Sequence, residues 1–123
     1  MTPVRVLVVD DQEPFRKAAT AVVDSMDGFV VVGSASDGEE SVRAAAELRP
    51  GLVLMDVNLP GVDGLEATRR IRRLNPAPVV VLVSTYELSD IGEEALLCGA
   101  SAYVTKSEFE PVRLLELWDS MLA

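Results

Sequence analysis

Hydrophobic residues along the chain follow two spacings that alternate from one segment to the next. In one kind of segment, apolar and β-branched residues stand side by side, which is typical of strands buried on both faces of a sheet. In the other kind, apolar residues recur every three or four positions with charged residues between them, which predicts helices with one buried face. Five segments of each kind alternate along the sequence. The pattern therefore predicts five units, each a strand followed by a helix.

The five predicted strands are short and apolar, and they cover residues 4–9, 29–32, 52–55, 79–83 and 102–105. The second is short, which favours an edge of the sheet. The fourth is the most hydrophobic, which favours a position inside the sheet.

Local signals mark where the predicted helices begin. Asp11, Asp37 and Asp63 each precede a helical segment, and aspartate is a preferred N-cap because its carboxylate accepts hydrogen bonds from the first backbone N–H groups. Pro14 suits the first turn of the first helix, and Glu108 is predicted to begin the fifth. The apolar positions assigned to the last two helices are Leu88, Ile91, Ala95 and Cys98 in the fourth and Pro111, Leu114, Leu115, Trp118 and Leu122 in the fifth.

Strands and helices that alternate over short connections imply parallel strands, right-handed crossovers and helices on both faces of one sheet. We therefore predict an α/β fold, a doubly wound (βα)5 arrangement in three layers with a parallel five-stranded sheet. The sequence contains no internal repeat and no linker, so we predict a single domain over residues 1–123.

Composition excludes several classes of function. A net charge of −9 argues against nucleic-acid binding by this segment. The absence of histidine excludes histidine-based catalytic triads and metal sites, and the single cysteine, Cys98, is predicted to be a buried apolar residue. No apolar run approaches the roughly 20 residues that span a membrane, and no signal-peptide pattern precedes the first strand. We expect a cytoplasmic protein that does not contact a membrane.

Residues suited to phosphoryl chemistry follow four of the five predicted strands. Asp10 and Asp11 follow the first strand, Asp56 the third, Ser84 the fourth and Lys106 the fifth. The carboxyl ends of parallel strands meet at one edge of a sheet, where ligands bind. Each residue alone has a simpler interpretation as a cap, a turn residue or a surface charge. Together, they predict one site.

The predicted site suits phosphoryl transfer with a divalent cation. Converging carboxylates stay ionised together only when a cation joins them, and Mg²⁺ prefers oxygen ligands and also accepts phosphate oxygens. Lys106 adds a positive charge and Ser84 a hydroxyl donor. Asp56 is the predicted nucleophile, which would form an aspartyl phosphate while these groups hold the phosphoryl oxygens.

The residues around the predicted site resemble a known family over essentially the whole chain. The matching segments are residues 8–11, 56–64, 83–85 and 99–106. In this order and spacing they resemble the receiver domain of bacterial response regulators. The spacing from Asp56 to Ser84 and Lys106, together with residues 12–16, is most similar to the NarL/LuxR-type subfamily. The resemblance implies a flavodoxin-like, CheY-like fold with the strand order 2-1-3-4-5.

The resemblance implies a role for each residue of the acidic site. Asp56 would be the phosphoacceptor, and Lys106 would contact the phosphate. Asp11 and Asp56 would bind Mg²⁺ through their side chains, Asp10 through a water molecule, and Asn58 through its backbone carbonyl.

The resemblance also implies a conformational switch. Ser84 would be the hydroxyl that moves toward the phosphate, and Tyr103 the aromatic residue that rotates inward in response. Asn58 and Tyr86 occupy positions that tune the lifetime of the phosphate in such domains. Ser107 departs from the pattern, because many receivers carry proline there after a cis peptide bond. We do not expect a cis bond before a serine, since it would cost about 3–4 kcal/mol.

A signalling module rather than a metabolic enzyme is the function that the resemblance implies. A sensor histidine kinase would donate the phosphoryl group, and phosphorylation would change the affinity for a second copy of the chain or for an effector that controls transcription. In the NarL/LuxR-type subfamily a DNA-binding helix-turn-helix usually follows the receiver. None lies within residues 1–123, so we expect either a longer protein or a stand-alone receiver with a separate effector.

Two alternatives stay open on sequence grounds. One is a degenerate receiver that acts as an interaction module without phosphorylation. The other is a phosphatase of the haloacid-dehalogenase kind, which also uses a nucleophilic aspartate and Mg²⁺. The second alternative fits less well, because Asp56 lies on the third strand and lacks the Asp-x-Asp pattern of that class.

Overall fold

The structure, a computed structural model, describes residues 2–87, 90 and 92–122. Its strands are β1 (Val4–Val9), β2 (Phe29–Ala35), β3 (Leu52–Asp56), β4 (Val79–Ser84) and β5 (Ala102–Thr105). Its helices are α1 (Glu13–Asp24), α2 (Gly38–Leu48), α3 (Gly64–Ile71), α4 (Glu93–Leu97) and α5 (Pro111–Leu122), and a 3₁₀ turn (Lys106–Glu108) follows β5. None of the helices in these ranges has the length and apolar character needed to cross a membrane.

The five strands form one parallel sheet in the order β2-β1-β3-β4-β5, as predicted. β2 lies at an edge, and β4 lies between β3 and β5. β2 extends three residues beyond its predicted end, to Ala35. All five carboxyl ends point the same way, so the residues that follow β1, β3, β4 and β5 meet along one edge.

Side chains of the inner strands alternate between two apolar layers. Leu7, Met55 and Leu82 face a layer that α2, α3 and the α4 segment cover. The neighbouring residues Val8 and Leu54 face the opposite layer, which α1 and α5 cover. The sheet is therefore buried on both sides, which confirms the predicted three-layer architecture and explains why the strands are continuously apolar.

The predicted caps of the second and third helices are confirmed, and that of the first is wrong. Asp37 and Asp63 accept hydrogen bonds of 2.8 Å from the backbone N–H groups three residues on. α1 begins instead at Glu13, after Gln12, and no side chain caps it. The confirmed caps bond the N–H three residues on, and the residue three positions after Asp11 is Pro14, which has no N–H. Asp11 remains exposed at the sheet edge.

The fifth helix begins later than predicted. Glu108 belongs to the 3₁₀ turn, and α5 starts at Pro111. Leu114 is fully buried, but the predicted apolar face is too wide, because Leu115 is 46% exposed and Leu122 is 67% exposed. Leu115 lies about a quarter turn from Leu114 along the helix and so faces away from the core.

The fourth predicted helix is described only in part. Ala95 is buried on α4, and Cys98 is buried directly after it. The predicted apolar positions Leu88 and Ile91 lie outside the described residues.

Candidate functional site

The acidic residues predicted to share a site do lie together. Asp10 and Asp11 follow β1, and Asp56 is the last residue of the neighbouring strand β3. One carboxylate oxygen from each of the three lies within 4.8 Å of the others. The strand order reverses between β1 and β3, and open α/β sheets bind ligands at such a point.

Lys106 supplies the positive charge of the site. Its ammonium nitrogen lies 2.7 Å from Oδ2 of Asp10 and 3.7 Å from Oδ2 of Asp56. Asp10 is fully buried, Asp56 is 4% exposed, and the lysine side chain is 14% exposed. The lysine therefore bridges two carboxylates that are almost removed from solvent.

Each buried aspartate is anchored through one oxygen only. Oδ1 of Asp10 accepts a hydrogen bond of 2.8 Å from the backbone N–H of Gln12. Oδ1 of Asp56 accepts a longer one, 3.3 Å, from the N–H of Asn58. Oδ2 of Asp10 lies near Lys106 but accepts no hydrogen bond of acceptable geometry from the part of the chain that the structure describes.

The electrostatics of the site raise the pKa of Asp56 to about 6, from an ordinary value of 3.8. Burial is the largest cause, and the charge of Asp10 acts in the same direction, as does that of Asp11. Lys106 and the N–H of Asn58 lower the pKa without cancelling those effects. The single lysine therefore does not fully balance three carboxylates, and a further cation would stabilise the ionised form.

The donor set fits a hard divalent cation such as Mg²⁺. Three carboxylates converge, and one of them carries the buried oxygen without a hydrogen bond described above. Mg²⁺ is held in proteins by one or two carboxylates together with water and phosphate oxygens. Asn58 follows at the same edge of the sheet, with an exposed side chain.

Ser84 and Tyr103 bond to the same backbone residue. Ser84 is fully buried, and its hydroxyl oxygen accepts a hydrogen bond of 3.2 Å from the N–H of Tyr86. The Tyr103 hydroxyl donates to the carbonyl oxygen of Tyr86. Burial raises the pKa of Tyr103, so the hydroxyl remains protonated and can donate at neutral pH. The loop after β4 thus links the two predicted switch residues.

Two residues of α1 lie at the site and were not predicted to act there, although both belong to the segment 12–16 that carries the subfamily resemblance. A guanidinium nitrogen of Arg16 donates a hydrogen bond of 2.6 Å to the carbonyl oxygen of Asp10 and so holds the loop that carries the acidic pair. The Phe15 ring centroid lies 4.5 Å from the ammonium of Lys106. Their position one turn after the acidic pair is the signal that could have identified them.

The segment after Lys106 forms a tight turn with a trans peptide bond before Ser107. Among the described residues the one cis peptide bond is Asn75–Pro76. The Thr105 hydroxyl donates to the Glu108 carboxylate at 2.9 Å and lies 3.1 Å from the Ser107 hydroxyl. These side-chain bonds fix the turn from which the lysine reaches the site.

Gly64 determines how closely α3 approaches the strand that carries Asp56. Its N–H donates to the carbonyl oxygen of Val57 at 2.9 Å, and an added Cβ would lie 1.9 Å from the carbonyl oxygen of Asp56. We expect Gly64→Ala to lower the free energy of unfolding by about 2–3 kcal/mol, since backbone atoms must shift to relieve the clash. Urea unfolding followed by circular dichroism measures this loss.

Gly51→Ala is the matched control, because an added Cβ at Gly51 would meet its nearest atoms at 3.9 Å. This variant should remain within about 0.5 kcal/mol of the parent chain. Equal stability of the two variants would show that the close approach at Gly64 does not constrain the fold.

Comparisons with known proteins agree with this geometry. A family model described as response regulator receiver domain matches residues 6–119. Response regulator GacA from Pseudomonas viridiflava is 47% identical over 103 residues, which cover 84% of this chain and 48% of GacA. A protein-glutamate methylesterase/protein-glutamine glutaminase from Myxococcus xanthus is 46% identical over 106 residues, which cover 85% of this chain and 30% of that protein. The chain thus spans about half of GacA's length and less of the methylesterase's.

A solved structure shares the whole architecture. The two-component response regulator of the LuxR family from Aurantimonas sp. SI85-9A1 has a TM-score of 0.87 and 33% identity to this chain. The match covers 98% of this chain and 86% of the other.

Proposed function

The chain belongs to the response regulator receiver domain family. We propose that it acts in two-component signalling and that Asp56 is the residue that accepts the phosphoryl group. The observation that carries this proposal is the surroundings of Asp56. A buried carboxylate at the end of a central strand has a lysine ammonium 3.7 Å away and two further carboxylates around it. This combination suits a nucleophile whose product is a doubly charged phosphoryl group.

In the proposed reaction an oxygen of Asp56 attacks phosphorus in line with the leaving group of the donor. The new bond joins that oxygen to phosphorus, while the bond from phosphorus to the donor breaks and its electron pair leaves with the donor. Lys106 turns from the two carboxylates toward an oxygen of the phosphoryl group. Asp11 and Asp56 would hold Mg²⁺ through their side chains, Asp10 through water and Asn58 through its carbonyl. The bound cation would supply positive charge that offsets the charge of the phosphoryl group.

We propose that the phosphoryl group is sensed through the loop after β4. The Ser84 hydroxyl accepts a hydrogen bond from Tyr86 and keeps its own hydrogen to donate to a phosphoryl oxygen. Movement of Ser84 toward the phosphate pulls on the backbone of Tyr86, whose carbonyl holds the Tyr103 hydroxyl. Release of that bond allows the Tyr103 ring to rotate inward and changes the surface around β5.

The proposed donor is a sensor histidine kinase, and the proposed output is a changed affinity for a second copy of the chain or for an effector. Control of transcription is the output we favour, because a relative from Bacillus subtilis that is 36% identical over 104 residues is the transcriptional regulatory protein LiaR. The methylesterase relative shows that a similar receiver also occurs in an enzyme. We propose that this domain acts in the cytoplasm and catalyses only its own phosphorylation and dephosphorylation.

Incubation with acetyl phosphate and Mg²⁺ tests the proposal. Intact-mass spectrometry should show the addition of one phosphoryl group, and peptide mapping should place it on Asp56. No adduct with acetyl phosphate, a kinase or beryllofluoride would instead support a phosphorylation-independent interaction module. Sustained turnover of p-nitrophenyl phosphate would support the phosphatase alternative.

A further inference from the structure

We propose that Phe15 is a positioning residue for Lys106. The Phe15 ring holds the lysine ammonium at the site and so strengthens its interaction with the phosphoryl group on Asp56. The inference deepens the proposed function and rests on it. It assigns to an apolar helix residue a part in phosphoryl recognition that its hydrophobic character alone does not suggest.

The contact joins two elements that are distant in the sequence. Phe15 lies in the first turn of α1, and the ammonium nitrogen of Lys106 lies 4.5 Å from its ring centroid. A cation within about 6 Å of an aromatic ring centroid is attracted by the negative electrostatic potential of the ring face. Since the lysine side chain is 14% exposed, water screens this attraction only in part.

Phe15 also contacts the segment from which the lysine emerges. Its ring packs against that of Phe109, with 5.9 Å between centroids and a 52° tilt. Phe109 directly follows the 3₁₀ turn that begins at Lys106, and its N–H donates only a long hydrogen bond of 3.3 Å to the carbonyl of Lys106. The phenylalanine thus restrains both the charged end of the lysine and the turn at its base.

The aromatic contact differs in kind from the other two that hold the ammonium. Asp10 and Asp56 attract it through carboxylates, at 2.7 and 3.7 Å. When Mg²⁺ binds at the site and Asp56 carries the phosphoryl group, neither carboxylate attracts the lysine as strongly as before. The ring face of Phe15 binds neither the cation nor the phosphoryl group, so its attraction for the lysine does not change. It also leaves N–H groups of the ammonium available to phosphoryl oxygens.

A set of three variants separates this role from simple core packing. Phe15→Leu removes the ring, Phe15→Tyr keeps it, and Phe109→Leu breaks the same aromatic pair while leaving a ring beside Lys106. Beryllofluoride affinity is measured at saturating Mg²⁺ by fluorine NMR. Mg²⁺ affinity is measured separately by calorimetry, in the absence of beryllofluoride.

We expect Phe15→Leu to weaken beryllofluoride binding by about threefold to tenfold, the range of a partly desolvated cation–π contact. Phe15→Tyr should restore binding to within about twofold of the parent chain, and Phe109→Leu should lose less than Phe15→Leu. Mg²⁺ affinity should not fall in Phe15→Leu, because Phe15 supplies no ligand. If Phe15→Leu fails to fold, Phe15→Met is the second variant without a ring.

The inference is overturned if the variant without a ring binds beryllofluoride as well as the parent chain, if Phe15→Tyr fails to restore binding, or if Phe109→Leu loses as much as Phe15→Leu. A parallel loss of Mg²⁺ affinity would also overturn it, because it would indicate a general disturbance of the site. If the parent chain itself binds no beryllofluoride, the proposed function fails, and the positioning role fails with it.

Discussion

Asp56→Asn is expected to abolish the phosphoryl adduct and, in metal-free solution at neutral pH, to make the fold more stable. Asparagine preserves the shape of the side chain but lacks the carboxylate oxygen that attacks phosphorus. Intact-mass spectrometry after incubation with acetyl phosphate and Mg²⁺ should therefore show no addition. Asp27→Asn is the control, since it removes the same charge from an exposed residue outside the site and should leave the adduct unchanged.

The gain in stability follows from the raised pKa of Asp56. The folded state holds the proton with a pKa of about 6, above the ordinary value of 3.8. The resulting stabilisation is fully present below pH 3.8 and is lost as the pH rises through about 6. At pH 7.5 the ionised aspartate therefore costs roughly 1–3 kcal/mol, which asparagine removes.

Urea unfolding in EDTA at pH 5 and pH 7.5 measures this effect. The advantage of Asp56→Asn over the parent chain should be larger at pH 7.5 than at pH 5. Addition of Mg²⁺ at pH 7.5 should stabilise the parent chain and narrow the difference, because the metal binds the ionised carboxylate. An advantage of equal size at both pH values would contradict an aspartate whose charge is disfavoured by the fold.

The architecture was predictable because local signals and global fold agree. Nearly continuous apolar runs such as Val4–Val9 are typical of strands covered on both faces, and the short connections leave few topologies. The strand order came from the family resemblance, and the structure confirms it. The wrong cap at Asp11 shows the limit of a local rule, because a proline in the first turn removes the N–H that such a cap would bond.

The candidate site was predictable as a set of residues but not as a set of contacts. Parallel strands bring their carboxyl ends together, so Asp10, Asp56 and Lys106 had to lie near one another. The contact between Phe15 and Lys106 depends on how far α1 lies from the end of β5, and no local pattern encodes that distance. The shared bonding of Ser84 and Tyr103 to Tyr86 likewise depends on the path of a loop.

Lys106→Met is expected to change three properties of the site in different directions. Beryllofluoride affinity should fall by roughly 10- to 100-fold, because a hydrogen bond to a charged group contributes about 1.5–3 kcal/mol. Mg²⁺ affinity should rise, because the ammonium 2.7 Å from Asp10 no longer competes for the carboxylates. In EDTA at neutral pH, the free energy of unfolding should fall by roughly 2–4 kcal/mol, since two buried carboxylates lose their cation.

The opposite signs make the prediction specific to this lysine. Because Lys106 lowers the pKa of Asp56, its removal should also raise that pKa further above about 6, which carboxyl carbon NMR detects. Lys17→Met is the matched control, since Lys17 is exposed and pairs with Glu13 on its own helix, away from the acidic site. Equal behaviour of the two variants, or a fall in Mg²⁺ affinity in Lys106→Met, would contradict the role assigned to Lys106. In that role the lysine neutralises the acidic site before phosphorylation and then binds the phosphoryl group.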